Sequence, residues 1–289
     1  MVGRRHGVAS YQIDHLYLAN QMLSLRGKRV LEVGGSLPEA IVIDHYKCTE
    51  WMAVDDREAY EQKLNWARST ARQKLDDSDT DSMSRCRYFD GRIEDIPSSF
   101  HGKFDIVFSN AVLEHVDRLP EALGKMRAAL APGGSMYHTI GPIWSGPAGH
   151  HVYPSYFSEF GKNAGAGIVN QLRPWMHLAM TPEQMHDHLR TAVCDSIAEV
   201  AVQSIYSSPR INRLFFQQYL DTFRNENLDV AWIHRWKKKQ KDTRFLHDLK
   251  LSETDREDYL FNVFTVILSP STDTDRQASS SPHLSRSPV

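Results

Sequence analysis

The stretch Arg29-Val30-Leu31-Glu32-Val33-Gly34-Gly35-Ser36 decides the fold. A short, largely apolar run that ends in paired glycines reads as a buried strand delivering the chain into a tight turn. Pro38 suits the first turn of a helix spanning Pro38 to Tyr46. Upstream, Ile13, Leu16, Tyr17, Met22 and Leu23 recur at near-helical spacing, and Gly27 ends that helix. Downstream, Trp51 to Val54 reads as a second strand closed by Asp55 and Asp56, followed by a helix over Arg57 to Leu75 and an acidic, serine-rich loop over Asp76 to Ser84. Arg85 to Phe89, Phe104 to Ser109 and Ser135 to Ile140 supply three more strands. An amphipathic helix over Pro120 to Leu130 is stopped by Pro132-Gly133-Gly134. Strands alternating with helices predict an α/β fold, a Rossmann-like doubly wound and mostly parallel sheet covered on both faces.

After Ile140 the alternation fails, which predicts a helical lid inserted after the fifth strand. Helices are expected at Pro182 to Leu189 and Asn212 to Arg224, and a strand at Val193 to Gln203. Trp232 and Trp236, four apart, suggest helix packing, and the basic run Arg235 to Lys241 reads as a solvated helix face. Leu260 to Leu268 is β-branched and aromatic enough for the last strand. The expected organisation is therefore a helical segment (1–28), an α/β core (29–140), a lid with some returning core elements (141–255), a final strand (256–268) and a disordered Ser/Thr/Pro-rich tail (269–289).

Bulk properties narrow the function. The 289 residues carry a net charge of -2, so nothing in the total predicts nucleic-acid binding. No apolar run approaches the ~20 residues that cross a bilayer, and no signal peptide is visible. Cys48, Cys86 and Cys194 lie far apart without CxxC spacing, which argues for a reducing, cytoplasmic setting and against a zinc knuckle. No ligand spacing supports a metal, although one of His150 and His151, with His177 and Glu159, is the set to weigh. A homodimer is left open.

In an open parallel sheet the ligand sits beyond the carboxyl ends of the strands, against the first turn. Glycines at 34 and 35 let the backbone approach it closely. Asp55 follows Gly34 by 21 positions, an offset suited to accepting both ribose hydroxyls of a nucleoside cofactor.

Three segments in order, Val30 to Ser36, Phe104 to Asn110 with Leu113-Glu114-His115-Val116, and Leu130 to Gly134, resemble the successive motifs of class I S-adenosylmethionine-dependent methyltransferases. The resemblance covers about Arg29 to Ile140 and implies that family's fold with S-adenosylmethionine as cofactor. It further implies that Glu32 and the Gly34-Gly35-Ser36 turn hold the methionine end, that Asp55 takes the ribose, and that Asn110 and Ala111 line the cleft near the sulfonium. The segment Gly91 to Pro97 resembles the family's adenine segment. Arg92 occupies its usual acidic place, Ile93 is expected on the ring, and Glu94 or Asp90 can replace the missing carboxylate. Ser36 and Pro38 also depart from the family's glycines.

Methyl transfer is an in-line displacement that aligns a nucleophile, excludes water and often removes one proton. Histidine suits that task near neutrality, which makes His115, His150 and His151 the candidate bases. Trp144, Tyr153, Trp175 and His177, from the Gly- and Pro-rich segment after the fifth strand and its continuation, are the candidate substrate contacts. The expected function is methyl transfer to an oxygen or nitrogen of a small-molecule metabolite. Its rivals are a methyltransferase-like scaffold without transfer chemistry and, lacking GxGxxG, a nicotinamide-dependent oxidoreductase.

Overall fold

A computed structural model describes residues 8–35, 37–56, 85–154, 157, 160 and 164–271. Seven strands form one sheet: β1 (Arg29–Val33), β2 (Glu50–Asp55), β3 (Cys86–Asp90), β4 (Phe104–Asn110), β5 (Leu130–Ile140), β6 (Leu228–Lys237) and β7 (Phe261–Pro270). Their order is β3-β2-β1-β4-β5-β7-β6. The first five are parallel, and β7 enters antiparallel between β5 and β6. The α/β class and the parallel core therefore stand as expected. The order reverses at β1, which has β2 on one side and β4 on the other, so a cleft opens beyond the ends of these strands.

Two apolar layers cover the sheet. On one face, Leu16 and Ala19 of α1 (Ser10–Leu23) pack with Ile41 to Ile43 against Val30, Trp51, Phe108 and Tyr137. On the other, α2 (Leu119–Ala129) and α7 (Phe216–Asn225) bury Leu123, Met126, Tyr219 and Phe223 against Leu31, Val107, Met136 and Phe264. Among the described residues, four helices lie between β5 and α7, α3 (Ala164–Gln171), α4 (Met176–Ala179), α5 (Pro182–Leu189) and α6 (Asp195–Tyr206), with an apolar core of their own around Phe157, Ile168, Met185, Leu189 and Ala201. Two short helices, α8 (Arg244–Asp248) and α9 (Glu253–Glu257), precede β7.

Several expectations are corrected. The segment expected as a strand from Val193 is the helix α6, because Ile197, Ala198, Ala201 and Ile205 recur at helical spacing and all turn into the insert's core. Trp232 and Trp236 lie on the edge strand β6, where residues two apart share a face, so four-residue spacing fits a strand as well as a helix. Arg235 and Lys237 of the basic run lie on the same strand, paired with Asp258 and Glu257. The helix expected from Asn212 starts at Phe216, because Asn212 donates through Nδ2 to the carbonyls of Leu113 (2.7 Å) and Val116 (3.3 Å) and holds the chain extended there. The helix after the glycine turn is one widened, π-helical turn over Ala40–His45. The last strand runs to Pro270, past the expected start of the tail. The expectations for Ser36, for the helix and loop between 57 and 84, and for most of the tail lie outside the described residues. Among the described residues, no helix is long and apolar enough to cross a membrane.

Two polar clamps fix β1. At its start, Arg29 donates from Nε (3.2 Å), Nη2 (2.9 Å) and its backbone N–H (2.8 Å) to the Asp105 carboxylate of β4. At its end, the buried Glu32 carboxyl accepts Trp51 Nε1–H of β2 (2.7 Å) and Leu37 N–H beyond the turn (3.1 Å). A buried acceptor that loses a donor is costly, so Trp51→Phe is expected to destabilise the protein by about 1–3 kcal/mol. Urea unfolding of the two proteins checks this.

Candidate active site

The residues that the glycine turn brings together come from four elements. Gln12 of α1, Glu32 and Val33 of β1, Gly34, Gly35 and Leu37 of the turn, and Phe108 and Asn110 of β4 line one cleft at the carboxyl edge of the sheet. Gly34 takes φ +71°, and a Cβ there would lie 2.5 Å from the Val112 side chain. A Cβ at Gly35 would meet the Glu32 carboxyl at 1.8 Å. Both glycines are thus required by the protein's own packing as well as by any ligand. Glu32 is 3% exposed, and its carboxyl is committed to shaping the turn while still forming part of the cleft wall.

In the wall of this cleft, Asn110 stands out as a buried polar side chain. Neither its Nδ2 nor its Oδ1 has a partner among the described residues, although both atoms are buried. Such atoms carry a desolvation cost that a polar ligand relieves. Ala111, next in sequence, adopts the left-handed φ of +56° while its N–H donates to the Thr139 carbonyl (2.8 Å).

Asp55 ends β2 on the other side of β1, opposite Asp90 of β3. Its Oδ1 accepts the N–H of Asp56 (3.0 Å), and its carbonyl accepts Tyr88 O–H (2.8 Å). Arg92, in the place expected to be acidic, pairs with Asp56 at 3.7 Å. Ile93 and Glu94, expected on the adenine, are 4% and 6% exposed. Ile93 belongs to the apolar layer beneath the sheet, and Glu94 lies 4.0 Å from Arg118. The short turn over Ile93–Asp95 therefore directs both inward, where the sequence places them on a ligand.

Beyond β4 and β5 the segments 113–116 and 141–152 meet. His115 bonds through Nδ1 to the Arg210 carbonyl (2.6 Å), and its ring meets that of His151 edge-on at 5.2 Å. In the tautomer that this bond requires, Nδ1–H donates and Nε2 carries the lone pair. His151 is 2% exposed and donates from Nε2 to the Pro142 carbonyl. His150 accepts Val152 N–H at Nδ1 (3.0 Å). His177, also buried, donates from Nε2 to the Trp144 carbonyl (2.8 Å). Burial pushes His150 and His151 down to about 3 and His177 to about 4. Groups held neutral that strongly are weak bases, and both side chains hydrogen-bond backbone groups of their own loop.

That loop is packed, with Ile143 N–H donating to the Asn262 carbonyl (2.8 Å) and Asn262 Oδ1 accepting Ala148 N–H (2.7 Å). Of the expected substrate contacts, Trp175 is fully buried with its Nε1–H on the Tyr259 carbonyl (2.9 Å), a structural post. Trp144 is 9% exposed, with its ring against His177 and under Arg213. Tyr153 alone among the four is exposed. The sequence reading missed Gln12, which lies outside every motif and reads as one polar position on an amphipathic helix. Among the described residues, no group of three His, Cys, Asp or Glu could hold a metal ion.

Residues 64–136 match the family model described as a methyltransferase domain. That is about a quarter of the chain, and it contains β3, β4, α2 and the first part of β5. No curated protein matches significantly. Solved structures with similar chain courses include an S-adenosylmethionine-dependent methyltransferase from Mesorhizobium loti, at 14% identity, TM-score 0.47, covering 87% of this chain and 95% of that one. Another is geranyl diphosphate C-methyltransferase from Streptomyces coelicolor A3(2), at 13% identity, TM-score 0.44, covering 89% and 78%.

Because the buried histidines have folded-state pKa values below the unfolded value of ~6.5, only the unfolded chain takes up their protons as pH falls from there toward 3–4. Stability is expected to be level above pH ~6.5 and to fall below it, by on the order of 1 kcal/mol per pH unit for each such histidine. Urea unfolding at pH 8, 7, 6 and 5 checks the slope, which His177→Asn should reduce.

Proposed function

We propose that this chain is an S-adenosylmethionine-dependent methyltransferase that moves the methyl group to an oxygen or nitrogen nucleophile of a small-molecule metabolite, with His115 as general base; the match of residues 64–136 to a methyltransferase domain supports the reading. The observation that carries the reading is the Asn110 amide, buried and unpartnered among the described residues, at the end of β4 beside the glycine turn. Glycine backbone on one side, Asp55 at the neighbouring strand end and an unsatisfied amide on the other fit a molecule with a ribose and an amino-acid end.

The cofactor supplies an electrophilic methyl on a sulfonium. The chain's residues supply the rest. Asp55 accepts the ribose hydroxyls. The amides of the glycine turn and Asn110 would hold and orient the methionine end. His115, its tautomer fixed by the Arg210 carbonyl, would take the nucleophile's proton at Nε2 as the bond to carbon forms and the carbon–sulfur bond breaks to leave a neutral thioether. The helical insert and the packed loop 141–152 act as a lid that keeps water out, and Tyr153 and Trp144 meet the substrate at its rim.

Radiolabelled methyl transfer into a metabolite extract tests the reading. Labelled product from wild type, reduced about 100-fold by His115→Gln with cofactor affinity unchanged, is the expected result. No product from any extract would favour a scaffold that has kept the fold and lost the chemistry, and a product insensitive to His115→Gln would remove the base.

A further inference from the structure

Cofactor recognition in this chain extends to a residue upstream of every motif in the sheet. We infer that α1 is part of the cofactor site, with Gln12 binding the methionine end and His15 acting as its positioning residue. The inference rests on the proposed reading of the cleft and adds to it a contact from the N-terminal helix.

Gln12 stands in the wall of the same cleft as Glu32, Gly34, Gly35 and Asn110. Asp55 is not in that wall. In the strand order, Asp55 ends β2 on one side of β1, whereas Asn110 ends β4 on the other. A cofactor whose ribose meets Asp55 therefore has its amino-acid end on the β4 side, where Gln12 faces the glycine turn. A primary amide offers both a donor for a carboxylate and an acceptor for an ammonium group. Asn110 presents a second amide in the same cleft, with both polar atoms buried and unpartnered among the described residues. The methionine end has the two charged groups that such a pair of amides can answer.

The helix is registered on the sheet by a hydrogen-bond chain one turn along from Gln12. His15 and Thr139 meet at 3.1 Å, Thr139 and Thr265 at 3.2 Å, and Trp236 donates from Nε1 to Thr265 at 2.8 Å. An indole N–H only donates, so Thr265 Oγ1 accepts from Trp236, while the two threonine hydroxyls and His15 Nδ1 complete the chain with one donor and one acceptor at each link. The His15 ring also meets Trp236 edge-on at 5.7 Å. Thr139 is the β5 partner of Asn110 in the sheet register. The same threonine thus fixes α1 and stands beside the unsatisfied amide, which places Gln12 relative to Asn110. His15 and Gln12 are three apart and share a helix face. Titratable groups that face this chain include Asp14 beside His15, Tyr137 beside Thr139 and Thr265, and His234, whose ring meets Trp236 at 4.5 Å.

Calorimetric titration with two probes tests the assignment: S-adenosylhomocysteine, which has the amino-acid end, and 5′-methylthioadenosine, which lacks it. Gln12→Ala is expected to weaken S-adenosylhomocysteine about tenfold and to leave methylthioadenosine within twofold of wild type. Gln12→Glu, which sets a carboxylate against the ligand's own, should weaken the first further. His15→Ala should reproduce the selective loss, add little in the double variant with Gln12→Ala, and be rescued by His15→Asn, whose amide can replace Nδ1. Equal losses for both probes, additive losses in the double variant, or no loss would overturn the inference while leaving the cofactor reading intact. Failure of wild type to bind either probe would overturn both.

Discussion

The buried Glu32 carboxyl is the interaction on which the rest of the site depends. It takes one hydrogen bond from Trp51 on β2 and one from Leu37 beyond the glycine turn, so a single side chain joins two neighbouring strands to the loop that must receive a ligand. Its bulk also constrains the turn itself: no side chain fits at Gly35 while Glu32 stays where it is. The turn is therefore shaped from beneath, by packing and hydrogen bonding inside the protein. The cleft itself is lined by the glycine turn, Gln12 and Asn110.

This division explains which parts of the molecule were legible in the sequence. The strand and turn at β1, the strong strand at β4 and the Pro-Gly-Gly turn leading into the paired part of β5 are local patterns, apolar runs closed by glycine, and local physics places them. The helical insert was legible as a break in the alternation but not in its detail. Val193 to Gln203 is a mixed apolar run whose composition suits a strand, and only the core formed by α3, α5 and α6 selects the helix. Trp232 and Trp236 illustrate the reverse error, since a four-residue interval serves either element until β7 supplies a partner.

The site was half legible for a similar reason. Asp55, Gly34 and Asn110 sit where a parallel sheet must place the residues ending its strands. Ile93, Glu94, Trp175 and the three buried histidines were chosen by residue type, and type does not report which way a side chain turns. His150, His151 and His177 hydrogen-bond backbone groups in a loop too irregular to satisfy itself, and their burial removes the basicity that made them attractive. His115 bonds through Nδ1 to the Arg210 carbonyl, which orients its ring. Gln12 was invisible for the opposite reason: it reaches the cleft from an element outside the sheet.

A structure with bound S-adenosylhomocysteine tests the cofactor geometry most directly. The predicted result is ribose hydroxyls on Asp55, the amino-acid end against the Gly34-Gly35 turn and Asn110, and the sulfur facing the space in front of His115. A ligand bound elsewhere, or bound with its amino-acid end at Asp55, would contradict it.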